Sequence, residues 1–227
     1  MSRERKLIPM FLKTIVCGSL QANCYLIGEG EGQECVIVDP GVDAFGPVTS
    51  LIDRYRLTPV AVLVTHGHFD HIWDSSRFCD RYRIPVWIRS EDRHLLTDPT
   101  AGVSPDMGMW LSMNTTLPLK EPAHVKILDG VDTLELAGLS LSVIHAPGHT
   151  PGSVLFTVGT QLAFTGDVLF AGSIGRTDLP GGNTSAMNST LHGPVASLPV
   201  SDRILPGHGP SSTMEIERAA NPFLAHI

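Results

Sequence analysis

Short apolar segments separated by glycine, proline and polar residues dominate the chain, and fewer segments repeat apolar positions at helical spacing. The short segments predict β-strands, because they are rich in Val, Ile, Leu and Phe and end at turn residues. The predicted strands are residues 11–17, 23–27, 34–38, 59–65, 86–88, 125–128, 133–136, 139–143, 154–158, 161–165 and 203–205. Helical spacing predicts helices from Gly46-Pro47 to Tyr55 and over residues 72–82, 184–191 and 214–220. Strands with helices between them are typical of a layered α/β fold.

Residues 90–122 show the least regular pattern in the chain. A helix-like beginning at residues 91–96 is followed by a stretch rich in methionine and tryptophan. A segment of this length is usually functional or variable in a compact domain. We interpret it as a lid or the wall of a substrate channel, or alternatively as a surface excursion with its own small core.

The composition favours one folded domain. Of the 227 residues, 42% are hydrophobic and 17% are charged, and no linker divides the chain, so a single domain is expected over residues 1–227. The net charge of −7 and the absence of a Lys/Arg block argue against a nucleic-acid partner.

The pattern near the beginning of the chain and the cysteine content favour a cytoplasmic protein without a membrane partner. The first apolar run is interrupted by Pro9 and Lys13, so it is too short for a secretory signal, and no stretch is long enough for a membrane span. Cys17, Cys24, Cys35 and Cys79 lack CxxC spacing, which predicts buried, reduced thiols.

Candidate chemistry is concentrated in one short stretch, His66-Gly67-His68-Phe69-Asp70-His71, between a predicted strand and a predicted helix. Three imidazoles and a carboxylate in one turn would desolvate and repel one another without a counter-charge. A divalent metal supplies that charge, and these side chains suit zinc, iron or manganese.

The same arrangement recurs three times later in the chain. His149, Asp167 and His208 each follow a predicted strand at a Gly- or Pro-containing turn. Because sites in layered α/β folds collect at strand ends, these residues are expected to meet the first cluster. Together they suffice for two adjacent metals with an open position. The remaining histidines are interpreted as a core or supporting residue (His145) and as surface residues (His94, His124, His192 and His226).

Four motifs in order, HxHxDH, PGHTPGS, TGD and PGHGP, resemble those of the metallo-β-lactamase superfamily. The likeness spans nearly the whole chain, from residues 23–25 to residues 221–224. Within the superfamily, Gly175-Arg176-Thr177-Asp178 and residues 217–223 resemble the hydroxyacylglutathione hydrolase (glyoxalase II) group in its short bacterial form. The GRTD element is shared with persulfide dioxygenases.

The resemblance implies an α/β fold of the αβ/βα four-layer sandwich type, with two mixed sheets flanked by helices and the metals at one rim. It implies one site made of His66, His68 and His149, a second made of Asp70, His71 and His208, and Asp167 as a bridge. Asp70 and His71 are the expected catalytic pair, and the expected cofactors are two divalent ions, zinc foremost, with iron or manganese as alternatives. Three further residues have weaker expected roles. Asp39 either supports a ligand or caps its strand, whereas Arg176 and Asp178 either fix a loop by pairing or bind substrate.

The implied reaction is hydrolysis of a small-molecule thioester of the S-lactoylglutathione type, by a hydroxide held between the two metals. A thiolate leaving group, whose conjugate acid has a pKa of about 8.5, departs without a dedicated general acid, and no residue is nominated as one. The β-lactamases proper commonly lack the His71 equivalent or replace Asp167 by Cys, so antibiotic hydrolysis is not expected.

Two other functions remain open. A persulfide dioxygenase would hold a single iron with His66, His149 and Asp167. A non-catalytic metal-binding module is the remote alternative. Only 19 residues follow His208 (227 − 208), and Arg218 is their one basic residue besides His226. We therefore expect the short form, without the helical C-terminal domain that binds glutathione in longer glyoxalase II proteins.

Overall fold

The computed structural model describes residues 11–115 and 119–224, and within them two mixed six-stranded sheets face each other. The first sheet has the order β1-β2-β3-β4-β5-β6, in which β1, β2 and β3 are antiparallel neighbours and β3 to β6 run parallel. Its strands are β1 Phe11–Cys17, β2 Ala22–Gly28, β3 Glu34–Val38, β4 Thr58–Leu63, β5 Val86–Ile88 and β6 Val125–Ile127.

The second sheet has the order β14-β13-β10-β9-β8-β7, in which only β10 and β13 are parallel neighbours. Its strands are β7 Thr133–Leu136, β8 Leu139–His145, β9 Val154–Val158, β10 Leu162–Gly166, β13 Arg203–Pro206 and β14 Ser212–Thr213. A small hairpin, β11 Leu169–Phe170 and β12 Ser173–Ile174, stands apart from both sheets.

The helices of the described residues are α1 Phe45–Tyr55, α2 Phe69–Ile72, α3 Ser75–Tyr82, α4 Pro105–Asn114, α5 Thr184–Thr190 and α6 Met214–Ala220. A π-helical segment, Leu191–Val195, continues α5. Two 3₁₀ helices, Ser90–Leu96 and Pro99–Gly102, precede α4.

Both faces of each sheet are buried, which produces four layers. Because successive side chains on a strand point to opposite faces, Ile37 packs outward against Val48 of α1 and Phe78 of α3, whereas Val36 and Val38 point inward. In the second sheet Phe156 and Phe164 join the inner core, whereas Leu155, Ala163 and Ile204 pack outward against α5 and α6. The implied α/β sandwich with two mixed sheets flanked by helices is therefore confirmed.

Two pairs of parallel strands place candidate site residues at one rim of the sheets. Asp39 and His66 lie beyond the ends of the neighbours β3 and β4, and Asp167 and His208 lie beyond β10 and β13. The rims of the two sheets are joined by backbone bonds, from Val154 N to Thr65 O (2.9 Å) and from Asn23 N to Gly207 O (2.7 Å).

The helix predicted over residues 72–82 is wrong in its bounds. The structure has two helices, α2 and α3, separated at Trp73 and Asp74. Asp74 forms hydrogen bonds outside the helix. Its amide donates to Pro40 O (2.9 Å), and its Oδ2 accepts from Phe45 N (2.8 Å). These contacts fix the chain against the β3–α1 loop and interrupt the helix.

Other sequence predictions also need correction. His145 is exposed rather than a core residue, and its Nε2 contacts Pro151 O at 2.9 Å. The helix predicted over residues 184–191 corresponds to α5, but the helical chain continues beyond it, because the π-helical segment passes through Gly193 and Pro194. His94, His124 and His192 are exposed as predicted, whereas His226 lies outside the described residues.

The four cysteines are free and buried, as predicted. Among the described residues, no helix combines the length and the apolar character that crossing a bilayer requires.

Candidate metal centre

The structure brings all seven predicted ligands together at the rim where the two sheets meet. Two of them lie in the loop between β4 and α2, two lie in α2, and the others follow β8, β10 and β13. The seven are His66, His68, Asp70, His71, His149, Asp167 and His208. The ends of strands that are distant in sequence therefore lie close together. The repeated occurrence of His or Asp after a predicted strand led to this expectation.

The first group consists of the buried histidines His66, His68 and His149, each offering one nitrogen within 4.8 Å of the others. Nδ1 of His68 lies 2.9 Å from Nε2 of His149. Nε2 of His66 is buried and has no hydrogen-bond partner among the described residues. Buried nitrogens that face one another without a donor form a pocket for a cation.

The second group consists of Asp70, His71 and His208. Nε2 of His71 lies 3.2 Å from Nε2 of His208. Oδ2 of Asp70 lies 3.2 Å from the same His208 nitrogen and 3.6 Å from that of His71. Two imidazoles and one carboxylate oxygen thus converge on a second point.

Asp167 contacts both groups. Its Oδ2 lies 3.6 Å from Nε2 of His149 and 3.5 Å from Nε2 of His208. Its Oδ1 lies 3.5 Å from Nε2 of His71 and is buried without a hydrogen-bond partner among the described residues. One carboxylate therefore lies between the two groups.

The protonation states suit metal binding in different ways. Burial and the neighbouring imidazoles hold the pKa of His66 well below its usual range, and burial lowers the pKa of His68 to about 3. Both rings are therefore neutral and available as ligands. Burial lowers the pKa of His71 as well, but the carboxylates of Asp70 and Asp167 outweigh it and raise that pKa to about 10. At this ring a metal ion competes with a proton.

Four of the histidines have their outer ring nitrogen fixed by a neighbour, which turns the inner nitrogen toward the group. The contacts are His66 Nδ1 with Thr65 Oγ1 (3.1 Å), His71 Nδ1 with Asp39 Oδ2 (3.1 Å), His149 Nδ1 with Arg176 O (2.8 Å) and His208 Nδ1 with Leu20 O (3.1 Å). Partners of this kind orient metal-binding histidines.

Asp39 is one of these partners. Its Oδ1 accepts a hydrogen bond from Thr65 N (2.7 Å), and its Oδ2 accepts from Thr65 Oγ1 (2.6 Å) and contacts His71. Both oxygens are thus engaged, so Asp39 supports the His71 ring rather than facing the centre.

Arg176 contributes its backbone to the site and its side chain to a loop. The guanidinium forms two bonds to Asp178, Nε to Oδ1 at 2.6 Å and a terminal nitrogen to Oδ2 at 2.7 Å. Both side chains are largely exposed. This is the pairing that one sequence interpretation expected.

Asp92 is a residue that sequence reasoning missed. Its buried carboxylate accepts bonds from Gly67 N (2.8 Å), Thr150 Oγ1 (2.6 Å) and Gly152 N (2.9 Å). It therefore joins the loop that carries His66 and His68 to the loop that carries His149. In sequence it looks like an ordinary acidic residue in the first turn of a helix, so no signal separated it from its neighbours.

Replacing Asp92 by asparagine should loosen both loops. The amide offers one acceptor oxygen instead of two, and its own N–H groups would face donors. We expect a loss of about 2–4 kcal/mol in the free energy of unfolding, because buried donors lose their partners. Zinc affinity should fall at least about tenfold. Urea unfolding and zinc titration measure the two effects, with the exposed Asp106→Asn on α4 as control. Unchanged zinc affinity in Asp92→Asn would contradict the bracing role.

Asn23 and Tyr25 of β2 hold the loop that carries His208. Asn23 Nδ2 donates to Pro206 O and Gly209 O, both at 2.9 Å, and the Tyr25 hydroxyl donates to Pro206 O at 2.6 Å.

A cavity of about 490 Å³ opens onto the centre. Five of the predicted ligands line it, together with Ser104, Arg176 and several apolar side chains. Val103, Ser104 and Met107 of the segment 90–122 form part of its wall, as the channel-wall interpretation expects. Val103 and Leu111 also form a small core with Phe69, as the alternative interpretation expects.

Comparison with known proteins gives matches along nearly the whole chain. The family model described as "Metallo-beta-lactamase superfamily" matches residues 17–208. An uncharacterized protein of Mycobacterium leprae is 43% identical, covering 95% of this chain and 99% of that protein. A probable metallo-hydrolase of Bacillus subtilis, YqgX, is 36% identical (91% and 94% covered). The hydroxyacylglutathione hydrolase GloC of Haemophilus influenzae is 32% identical (95% and 98% covered).

Two solved structures share the fold at comparable identity. The BLEG-1 B3 metallo-beta-lactamase is 36% identical with a TM-score of 0.80, covering 94% of this chain and 99% of that one. TTHA1623, solved in a di-iron-bound form, is 35% identical with a TM-score of 0.76, covering 93% and 100%.

Proposed function

We propose that this chain, which belongs to the metallo-beta-lactamase superfamily, is a binuclear metal-dependent hydrolase that cleaves thioesters. The observation that carries the proposal is the pair of three-residue groups, His66, His68 and His149 and then Asp70, His71 and His208, which meet at Asp167 beneath one cavity. Each group supplies three protein ligands, Asp167 is shared, and a catalytic site would need one further position for water or substrate.

The donor set fits two divalent ions, one in each group, with Asp167 shared between them. Bound there, such ions lower the pKa of coordinated water from about 15.7 to about 7 and polarise a carbonyl oxygen. Asp70 lies on the cavity wall, where its carboxylate can orient the attacking water. His71, fixed by Asp39, keeps Asp70 and Asp167 in place through its contacts with both. Imidazoles and carboxylates suit zinc, and the likeness to a di-iron structure makes iron the main alternative.

A thioester is the substrate that this cavity suits. Outside the predicted ligands, the polar side chains among the described residues of its wall are Ser104 and Arg176. Neither is a useful acid near neutral pH, so an amide leaving group would lack a proton donor. A thiolate, whose conjugate acid has a pKa of about 8.5, departs without one.

The 32% identity to GloC supports a thioester of the S-lactoylglutathione type. Recognition of the glutathione part should nevertheless be weak. Apart from histidines, Arg176 is the one cationic side chain among the described residues of the wall, and Asp178 already pairs with it. We expect a high KM and tolerance of varied acyl and thiol parts, because remote contacts normally supply binding and orientation.

Steady-state kinetics on zinc-loaded protein test the proposal. S-Lactoylglutathione and the lactoyl thioester of N-acetylcysteamine should both be hydrolysed, with kcat/KM values within about a hundredfold, or about 2.7 kcal/mol. Metal-depleted protein is the control. If neither thioester is hydrolysed, the proposed function is refuted. A preference for S-lactoylglutathione of more than about a hundredfold would reveal a glutathione site.

A mono-iron persulfide dioxygenase is the second candidate. His66, His149 and Asp167 form a two-histidine, one-carboxylate set, which is the usual ligand set of non-haem iron oxygenases. Oxygen uptake with glutathione persulfide measures this activity. Because BLEG-1 is described as a B3 metallo-beta-lactamase, a chromogenic cephalosporin belongs in the same panel.

A further inference from the structure

A second cavity, of about 350 Å³, lies directly beside the cavity of the metal centre. The two share three wall residues, Leu20, Phe69 and Met107. Phe69 immediately precedes Asp70, so the shared wall lies next to the predicted catalytic pair. A molecule whose reacting group lies at the centre can therefore extend into the second cavity.

The wall of the second cavity is apolar. Besides the shared residues it consists mainly of Val42, Trp73, Trp110 and Leu111, and none of its described residues is charged. Its polar members are Ser19, Asn114 and Thr115, and the Asn114 amide is already bonded to the Trp110 carbonyl of its own helix (2.8 Å). Such a wall favours hydrocarbon over a peptide or a sugar.

The two cavities differ in charge. Arg176 and the predicted ligands border the first cavity and not the second. Trp110, at the wall of the second, is 56% exposed, which leaves an aromatic surface open to water. A ligand with a polar reacting end and an apolar arm would match both halves and cover that surface.

We infer that the thioesters hydrolysed by this protein carry an apolar chain, and that this chain lies in the second cavity while the scissile carbonyl lies at the metal centre. The inference rests on the proposed function. The chain belongs to the acyl part or to the thiol part, and the chemistry that the cavity recognises is the same in both cases.

Two substrate series test the inference on metal-loaded protein. The first varies the acyl chain from two to ten carbons on N-acetylcysteamine, and the second varies the alkyl chain of acetyl alkyl thioesters over the same range. A fully buried methylene group is worth about fourfold, so burial of three of the six methylene groups added between four and ten carbons should raise kcat/KM about sixtyfold in one series. The series that rises identifies the part of the substrate that enters the cavity.

A matched pair of variants on α4 locates the effect. Trp110→Ala should reduce the ratio of kcat/KM for ten carbons to that for four carbons at least about tenfold, because it removes much of the apolar wall. Met113→Ala is the control, since Met113 is 78% exposed on the same helix and lines neither cavity. Both positions are exposed, and the melting temperature verifies that the variants fold.

The outcomes separate the inference from the proposed function. If the protein hydrolyses thioesters but kcat/KM does not change with chain length in either series, the inference is overturned and the proposed hydrolase function stands. If no thioester is cleaved, the proposed function fails, and calorimetric titration with decanoate tests the cavity directly. Saturable decanoate binding that is weakened in Trp110→Ala and retained in Met113→Ala would support an apolar-chain site, whereas its absence would overturn it.

Discussion

Replacement of Asp167 by alanine is expected to remove metal from both groups and to abolish hydrolysis. Its two carboxylate oxygens lie within 3.6 Å of nitrogens from His149, His208 and His71. Loss of a ligand or its support typically costs about ten- to a hundredfold in affinity. Because this side chain faces both groups, the loss should apply to each, and kcat/KM should fall by more than about a thousandfold.

His208→Ala provides the comparison for this prediction. His208 contacts Asp70, His71 and Asp167 but none of the first group, so its removal should loosen only the second ion. His192→Ala is the control, because His192 is exposed and its Nδ1 contacts the Asn188 carbonyl one turn earlier (2.8 Å). Elemental analysis of the purified variants measures the effect. Equal metal content in the Asp167 and His208 variants would contradict the shared position of Asp167.

Replacement of Gly207 by alanine is expected to have an effect of similar size without changing any ligand. A Cβ at this position would lie 2.1 Å from Asp167 Oδ1 and 2.8 Å from Cε1 of His71. The backbone cannot easily retreat, because Gly207 N donates to Gly166 O (2.8 Å) and its carbonyl accepts from Asn23 N (2.7 Å). The methyl group should therefore displace Asp167 and cost metal at both groups, together with about 1–3 kcal/mol of stability from overpacking.

Gly209→Ala, in the same loop, is the matched control. Gly209 has a φ of +74° and no atom within 4 Å of an added Cβ. Alanine there should cost about 1 kcal/mol through backbone strain and leave the metal content unchanged. Elemental analysis and thermal unfolding separate the two variants. A Gly207→Ala protein that retains full metal content would show that the loop adapts, which would contradict the tight packing described for the centre.

The strand ends and the seven candidate ligands were predictable from the sequence because each carries a local signature. An apolar run that ends at Gly or Pro and presents His or Asp is visible within ten residues. Parallel pairing of β3 with β4 and of β10 with β13 then places these ends together. The polar residue types and the fold class were therefore sufficient to indicate where a metal centre would form.

A supporting role for Asp39 was one of two sequence expectations, but most other supporting contacts were not predictable, because their partners are distant in sequence. Asp92 is bonded to residues 25 and 60 positions away, and Asn23 to residues 183 and 186 positions away. The interruption between α2 and α3 likewise depends on Asp74 bonding to Phe45 across the chain. A pattern within a short stretch of sequence does not predict contacts between residues so far apart in the chain.

The segment 90–122 was hard to interpret for a different reason. Of the apolar residues of α4, Leu111 is buried, Met107 faces both cavities, and Met109 and Met113 face solvent. Apolar positions that serve a cavity wall do not follow the single stripe expected of a helix on a core. A cavity wall and a small separate core, rather than one buried face, account for the irregular pattern.

Titration of metal-depleted protein with zinc, followed by S-lactoylglutathione hydrolysis, tests the central claim most directly. Two groups that share Asp167 predict that activity rises until about two equivalents of zinc are bound per chain and then stays constant. Saturation with a single equivalent of iron, accompanied by oxygen consumption on addition of glutathione persulfide and no thioester hydrolysis at any zinc level, would contradict the binuclear hydrolase.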